Sequence, residues 1–261
     1  VFAFAQVGTN CGLLGMNAAI EVDGSAYWMS ENGFFKYSGK LESMKCLVED
    51  FVFDDINTTG QQLVNCGLNN LFGEIYWFYP TASSTIVNRM VSYNYLDSTT
   101  ERGIWVTSSL DRTTWADSSV FGNPHGTAFD AGNDASYDVV GNTDGRTTYF
   151  KHETGTDEIV GGSASAIAAS IESGDYDITV TKEGGATFQG DGEFLMKIRR
   201  FIPDFISQTG DTQITLNLRD YPNSSQASSS LGPFTITSST TKVDTRARAR
   251  AVSLKIANTS T

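Results

Sequence analysis

Helical spacing, with apolar residues at i, i+3, i+4 and i+7 over three turns, is nearly absent from this chain. What recurs instead is short aromatic or alternating runs separated by Ser, Thr, Asn, Asp and Gly, the pattern of strands joined by turns. "SAYWMSENGFFKYSGK" sets Asn32-Gly33 between two aromatic runs, and "YDVVGNTDGRTTYFKHETG" does the same with Asp144-Gly145. Each is a hairpin signal, because both turn residues accept positive φ. Between them "GEIYWFYP", "NRMVSYNY", "RGIWVTSS" and "RTTWAD" read as strands. Trp28 and Trp77 each follow a Tyr and lie about one repeat apart on the scale of roughly 40 to 50 residues expected of four-stranded blades. Residues 1–160 are therefore expected to form part of a β-propeller, with three to four blades visible, where closed propellers usually have about four to eight.

The style changes after "VGGSASAIAAS", Val160 to Ser170, whose composition suits a junction although its apolar end could begin a strand. The runs "YDITV", "EFLMKIRRFIPDF", "TQITLNLRDYP", "GPFTITSS" and "ARAVSLKI" are longer and alternate more cleanly, as in sheets with one wet face. Residues 161–261 are expected to form a β-sandwich domain, with "NSSQASSSLG", Asn223 to Gly232, as a flexible loop within it. The predicted fold class is all-β. The opening "VFAFAQVG" and the closing "ANTST" read as if both ends continue in a longer polypeptide.

Charge narrows the function classes. The 261 residues hold 18 Lys and Arg against 30 Asp and Glu, a net charge of -12, so the surface repels phosphate at long range. Cys11, Cys46 and Cys66 are odd in number and lack metal-ligand spacing, which argues against a disulfide framework. No apolar run is long enough to span a membrane. Of the two histidines, His152 opens "HETGT" without a second His four residues on, so the zinc-protease pattern fails. Phosphate-cradling glycine loops and nucleophile elbows are likewise missing, and no catalytic residue, metal ligand or cofactor site is assigned. "FDAGNDASYD" spaces Asp130, Asp134 and Asp138 evenly without the ligand order of a calcium loop, and reads as a solvated acidic turn. "SLDRTTW" looks like a sialidase-type Asp box one residue short and without its central Gly; a turn with Trp115 packed on a blade is the preferred account. Tyr76, Trp77, Phe78 and Tyr79 invite a sugar-stacking hypothesis, but strand alternation gives only half of them to any one surface, and core packing is preferred.

"RARARAVSLKIAN" places Arg246, Arg248 and Arg250 on one strand face with Val252, Leu254 and Ile256. The arginines then project beyond the core edge, unless a bulge at Ala251 switches the faces. In so acidic a chain, carboxylates of a neighbouring subunit are preferred over nucleic acid as their partners.

Taken in order, "YWMSENGFFKYSG", "CLVEDFVFDDIN", "EIYWFYPTASSTIVNRMVSYNY", "RTTWAD", "YFKHETGTD", "IESGDYDI", "GEFLMKIRRFIPDF" and "RARARAVSLKIAN" resemble the tail nozzle proteins of short-tailed bacteriophages, also called tail tubular protein B or packaged-DNA stabilisation proteins. The resemblance implies a non-enzymatic virion subunit, a propeller with attached β domains. It also implies a ring, six copies by family expectation, docked on the portal-adaptor ring and supporting tail fibres. Such a ring forms the DNA exit channel, retains the packaged genome and supports its ejection, with DNA passing through without sequence-specific binding. Asp130, Asp134 and Asp138 are then candidates for lining the channel, and Arg246, Arg248 and Arg250 for the subunit interface. The alternatives are a phage propeller-type glycan-degrading enzyme and a carbohydrate-binding module.

Overall fold

The computed structural model describes residues 5–99, 102–118, 122–129, 147–160, 163–178, 194–221, 227 and 229–258. It is almost all β, with 49% in strands against 4% in helix. The chain divides into two units, Val1–Gly155 and Thr156–Thr261.

In the first unit, β1 (Ala19–Val22), β2 (Ser25–Ser30), β3 (Gly33–Tyr37) and β4 (Leu41–Met44) form an antiparallel meander in chain order. A second meander repeats it with β5 (Asn65–Asn69), β6 (Glu74–Tyr79), β7 (Arg89–Asn94) and β8 (Ile104–Ser108). A third sheet orders β9 (Thr114–Ala116), β10 (His125–Phe129) and β11 (Thr147–Lys151) in the same way. The first strands of successive sheets are neighbours: Asn17 bridges Asn65 in parallel, the Cys66 N–H donates to Asn17 O at 3.0 Å, and Asn65 Nδ2 donates to Arg112 O at 3.1 Å. Trp28 and Trp77 occupy the fourth position of β2 and β6, the second strand of each meander.

The hairpin expected at Asn32-Gly33 exists, but with its turn shifted by one residue. Ser30 pairs with Gly33, so Glu31 and Asn32 make the turn, and only Gly33, at φ +130°, takes positive φ. The two-residue turn in which both positions do so lies earlier, at Asp23 (φ +50°) and Gly24 (φ +77°) between β1 and β2. The hairpin signal at Asp144-Gly145 lies outside the described residues.

Between the first two sheets, Tyr27, Met29, Phe34, Trp77, Tyr79 and Val91 form the largest core. On the other side of β6, Tyr76 and Phe78 pack with Met90, Val87 and Trp115. All four consecutive aromatics of β6 are thus buried, Trp77, Phe78 and Tyr79 completely. Cys46 and Cys66 border the first core as free thiols, and burial pushes each up to about 12.

The second unit begins with a hairpin of β12 (Asp157–Val160) and β13 (Ser163–Ala166), where the composition suggested a junction. A four-stranded sheet follows in the order β14 (Ser170–Glu172), β19 (Ala251–Asn258), β16 (Thr212–Arg219) and β17 (Ser229–Ile236). Separately, β15 (Met196–Phe201) pairs with β18 (Val243–Ala249) as a two-stranded ribbon. Met196, Ala247 and Ala249 of the ribbon share a core with Leu216, Leu218 and Val252 of the sheet. The expected loop 223–232 is shorter than the composition implied, because Ser229 to Gly232 already belong to β17, where Ser230 Oγ donates to Asn217 Oδ1 at 2.9 Å.

Gly67 is required where β5 passes under Trp115: a Cβ there would lie 2.3 Å from Trp115 Cδ1 and 2.4 Å from its Cγ. Gly67→Val should therefore destabilise the first unit by about 1–3 kcal/mol through overpacking, seen as a lower denaturant midpoint. An unchanged midpoint would mean that Trp115 is not held against β5.

Candidate functional site

The residues with recognisable chemistry in the first unit converge on Arg112. Its side chain is 7% exposed, and its Nη1 donates to Asp111 O at 2.7 Å and to Asp111 Oδ1 at 3.0 Å. Its Nε donates to His152 Nε2 at 2.9 Å, and its guanidinium lies 3.9 Å from the Phe150 ring centre. Burial lowers the pKa of Arg112, opposed by the Asp111 carboxylate. His152 also packs against Trp115, with ring centres 4.8 Å apart and planes tilted by 39°, and the Trp115 indole donates to Leu68 O at 2.9 Å. Since Nε2 of His152 accepts a hydrogen bond from a permanent cation, that nitrogen carries no proton and the imidazole is neutral. Burial first, then the charge of Arg112, pull its pKa from 6.5 to about 4. The guanidinium is held on edge and face by protein groups, which makes it a tie between β9 and the end of β11, and sets Trp115 of "SLDRTTW" against Tyr76 and Phe78.

A second buried polar network lies beside it. Asn69, fully buried, donates to Tyr76 Oη and to Glu153 Oε1, each at 3.0 Å, while Tyr76 Oη donates to Glu74 Oε2 at 2.6 Å. Burial holds Glu153 above the usual carboxylate range. The tetrad Tyr76 to Tyr79, being buried on both faces, presents no stacking platform for a sugar. Asp130, Asp134 and Asp138 lie outside the described residues.

The arginine strand is where structure and expectation part most. Arg246, Arg248 and Arg250 do not share a face with Val252, Leu254 and Ile256, because the chain changes sheets at Arg250. β18 alternates strictly: Thr245, Ala247 and Ala249 are buried and Asp244, Arg246 and Arg248 exposed. β19 then starts with three buried residues, Ala251, Val252 and Ser253, in the other sheet. Arg250 sits at the corner, half-buried, with its backbone N–H donating to Arg219 O at 2.9 Å. The small alanines let the ribbon approach the sheet closely and force the longer side chains out.

Sequence reasoning missed the other half of this surface. β15 brings Lys197 directly opposite Arg248, and Arg199 is exposed at the irregularity in the pairing between Ile198 and Arg200. Arg200 Nε donates to Asp244 Oδ1 at 2.5 Å, and Lys242 Nζ lies 3.9 Å from Asp244 Oδ2, so the acid of this face is already shared. Among the described residues, Lys197, Arg199, Arg246 and Arg248 make no ion pair. The alternation in "MKIRRF" was the available signal, but which strand stands opposite is not local information.

The described residues contain no cluster of His, Cys, Asp and Glu able to hold a metal ion, and no helix long and apolar enough to cross a membrane. No family model matches the chain, and no curated protein matches it.

The depressed His152 pKa sets a pH dependence. The unfolded chain binds this proton below about 6.5 and the folded one only near about 4, so stability is full above pH 6.5 and falls between these values. In thermal melts His152→Gln should show a shallower loss than the parent across that window. Parallel curves would mean that His152 is not held neutral by Arg112.

Proposed function

We propose that this chain is a structural subunit of the tail nozzle ring of a short-tailed bacteriophage, acting without a cofactor and without chemistry of its own. The observation that carries the proposal is the succession of meander sheets whose first strands lie side by side. Asn17, Asn65 and Thr113 precede or begin these strands at equal spacing along the chain, as successive propeller blades would repeat. The second unit, with a core shared between a sheet and a ribbon, is consistent with the sandwich that the resemblance implies. The order of motifs along the chain supports the same reading: the stretches that resemble nozzle proteins include β2–β3, β6–β7, β9, β15 and β18–β19.

In such a ring the acidic balance has a use. DNA under pressure slides past a wall that repels its backbone, whereas a lysine-lined wall would retain it through counterion release. The acidic stretch containing Asp130, Asp134 and Asp138 is the candidate lining. Arg246 and Arg248, projecting from their strand, are the candidates for contact with the next subunit, whereas Arg250 is drawn into the corner.

The test is the mass and symmetry of the full-length protein, by light scattering and particle imaging of one sample. A closed ring, hexameric by the resemblance, is the expected result. A monomer that binds or cleaves a host glycan would replace the proposal with the carbohydrate-active alternative.

A further inference from the structure

The thirteen residues of β15 and β18 hold five cations, Lys197, Arg199, Arg200, Arg246 and Arg248, against one acid, Asp244. Alternation prevents these cations from turning inward, because Ala247, Ala249 and Met196 of the same strands are buried in the core. Lys197 stands directly across from Arg248 on the same face, a like-charge pairing that works against the ribbon. Same-face neighbours two residues apart on a strand are about 6.8 Å from one another, close enough that one anionic surface would meet several of them at once.

Charge is distributed unevenly along the chain. Residues 1–155 contain eighteen Asp and Glu against eight Lys and Arg, whereas residues 156–261 contain twelve against ten. The acidity is therefore concentrated in the N-terminal unit, and half of the C-terminal unit's cations lie on two strands. We infer that the cationic outer face of the β15–β18 ribbon, centred on Lys197, Arg199, Arg246 and Arg248, docks on the acidic surface of the N-terminal unit of a second copy of this chain. The inference rests on the ring reading for its biological setting, but its own basis is charge complementarity.

Phosphates would suit the spacing equally well, and a nucleic acid is one of the outcomes tested below. A second copy is the occupant the chain itself supplies: its N-terminal unit holds eighteen Asp and Glu against eight Lys and Arg, carboxylates that guanidinium groups grip in pairs. A patch on one unit that recognises a different patch on the other unit is heterologous, so it propagates from copy to copy and either closes a ring or extends a filament.

The experiment uses the full chain and two variants, one with Lys197, Arg199, Arg246 and Arg248 all replaced by Glu, the other with all four replaced by Gln. All four residues are exposed, so melting temperature and far-ultraviolet circular dichroism should stay near the parent's, and whichever variant folds carries the test. Sedimentation velocity at about 0.05 M and about 0.5 M salt should show self-association of the parent that weakens with salt. Reversal should lower the association constant by about tenfold or more. Mixed with the parent, the reversed chain should shorten the assemblies, because it still offers the acidic surface but not the basic one.

Rings that form equally well with reversed ribbons would overturn this inference and leave the ring reading standing. Open oligomers that reversal dissolves would support the inference while removing the ring. Binding of a short DNA duplex that reversal abolishes, with self-association unchanged, would overturn it in favour of nucleic acid. A parent that stays monomeric at low salt would overturn it as well.

Discussion

Strand β6 carries four consecutive aromatic side chains, and a strand sends neighbours to opposite faces, so it can be buried only if something apolar covers both sides. Each ring removes on the order of 150–250 Å² from water, too much to leave one face wet. The first unit is the consequence. Trp77 and Tyr79 pack toward the first meander with Tyr27, Met29 and Phe34, while Tyr76 and Phe78 pack toward β9 and Trp115. Close approach on the second side requires Gly67 beneath the Trp115 indole, and Trp115 is in turn held by His152 and, through it, by Arg112. The polar hub is thus part of the device that keeps the third sheet against the second.

This explains which parts of the first unit were legible in its sequence. Strands β2, β3, β6, β7, β8 and β9 lie where the aromatic runs placed them, because local composition and turn residues act over a few positions. The Asn-Gly signal found a hairpin but misplaced its turn, since the pairing of Ser30 with Gly33 selected Glu31-Asn32. The Asp-Gly pair at 23–24 carried the same signal more faithfully and joins β1 to β2. Alternation gave only half of the β6 aromatics to any one surface, and core packing, the preferred account, holds for all four because both faces are covered. Period alone cannot distinguish a wet second face from one covered by another sheet, and that difference is tertiary.

In the second unit the limit is register. The alternation of "RARARA" holds only as far as β18, which turns Arg246 and Arg248 outward and ends before Arg250. Continuation into "VSLKI" fails, because β18 pairs with β15 and β19 with β14 and β16, and the change of sheet takes a single residue, Arg250. Local pattern does not record which strand lies alongside. For the same reason Lys197 and Arg199, distant in sequence, were absent from the arginine surface until the pairing brought them to it.

The chain places its cations in two ways, and the energetics distinguish them. Arg112 and Arg219 are largely buried and each has its own acid, Asp111 and Asp175, as a buried guanidinium requires. Removing either acid would leave a desolvated charge, so these pairs are constraints on folding. On the ribbon the cations remain hydrated, and repulsion between exposed like charges is worth only about 0.2–1 kcal/mol and is weakened further by salt. Folding therefore exerts little pressure on their identity, for or against. The small alanines beneath the ribbon are what the fold itself demands, whereas the five cations around one already shared acid are not required by it.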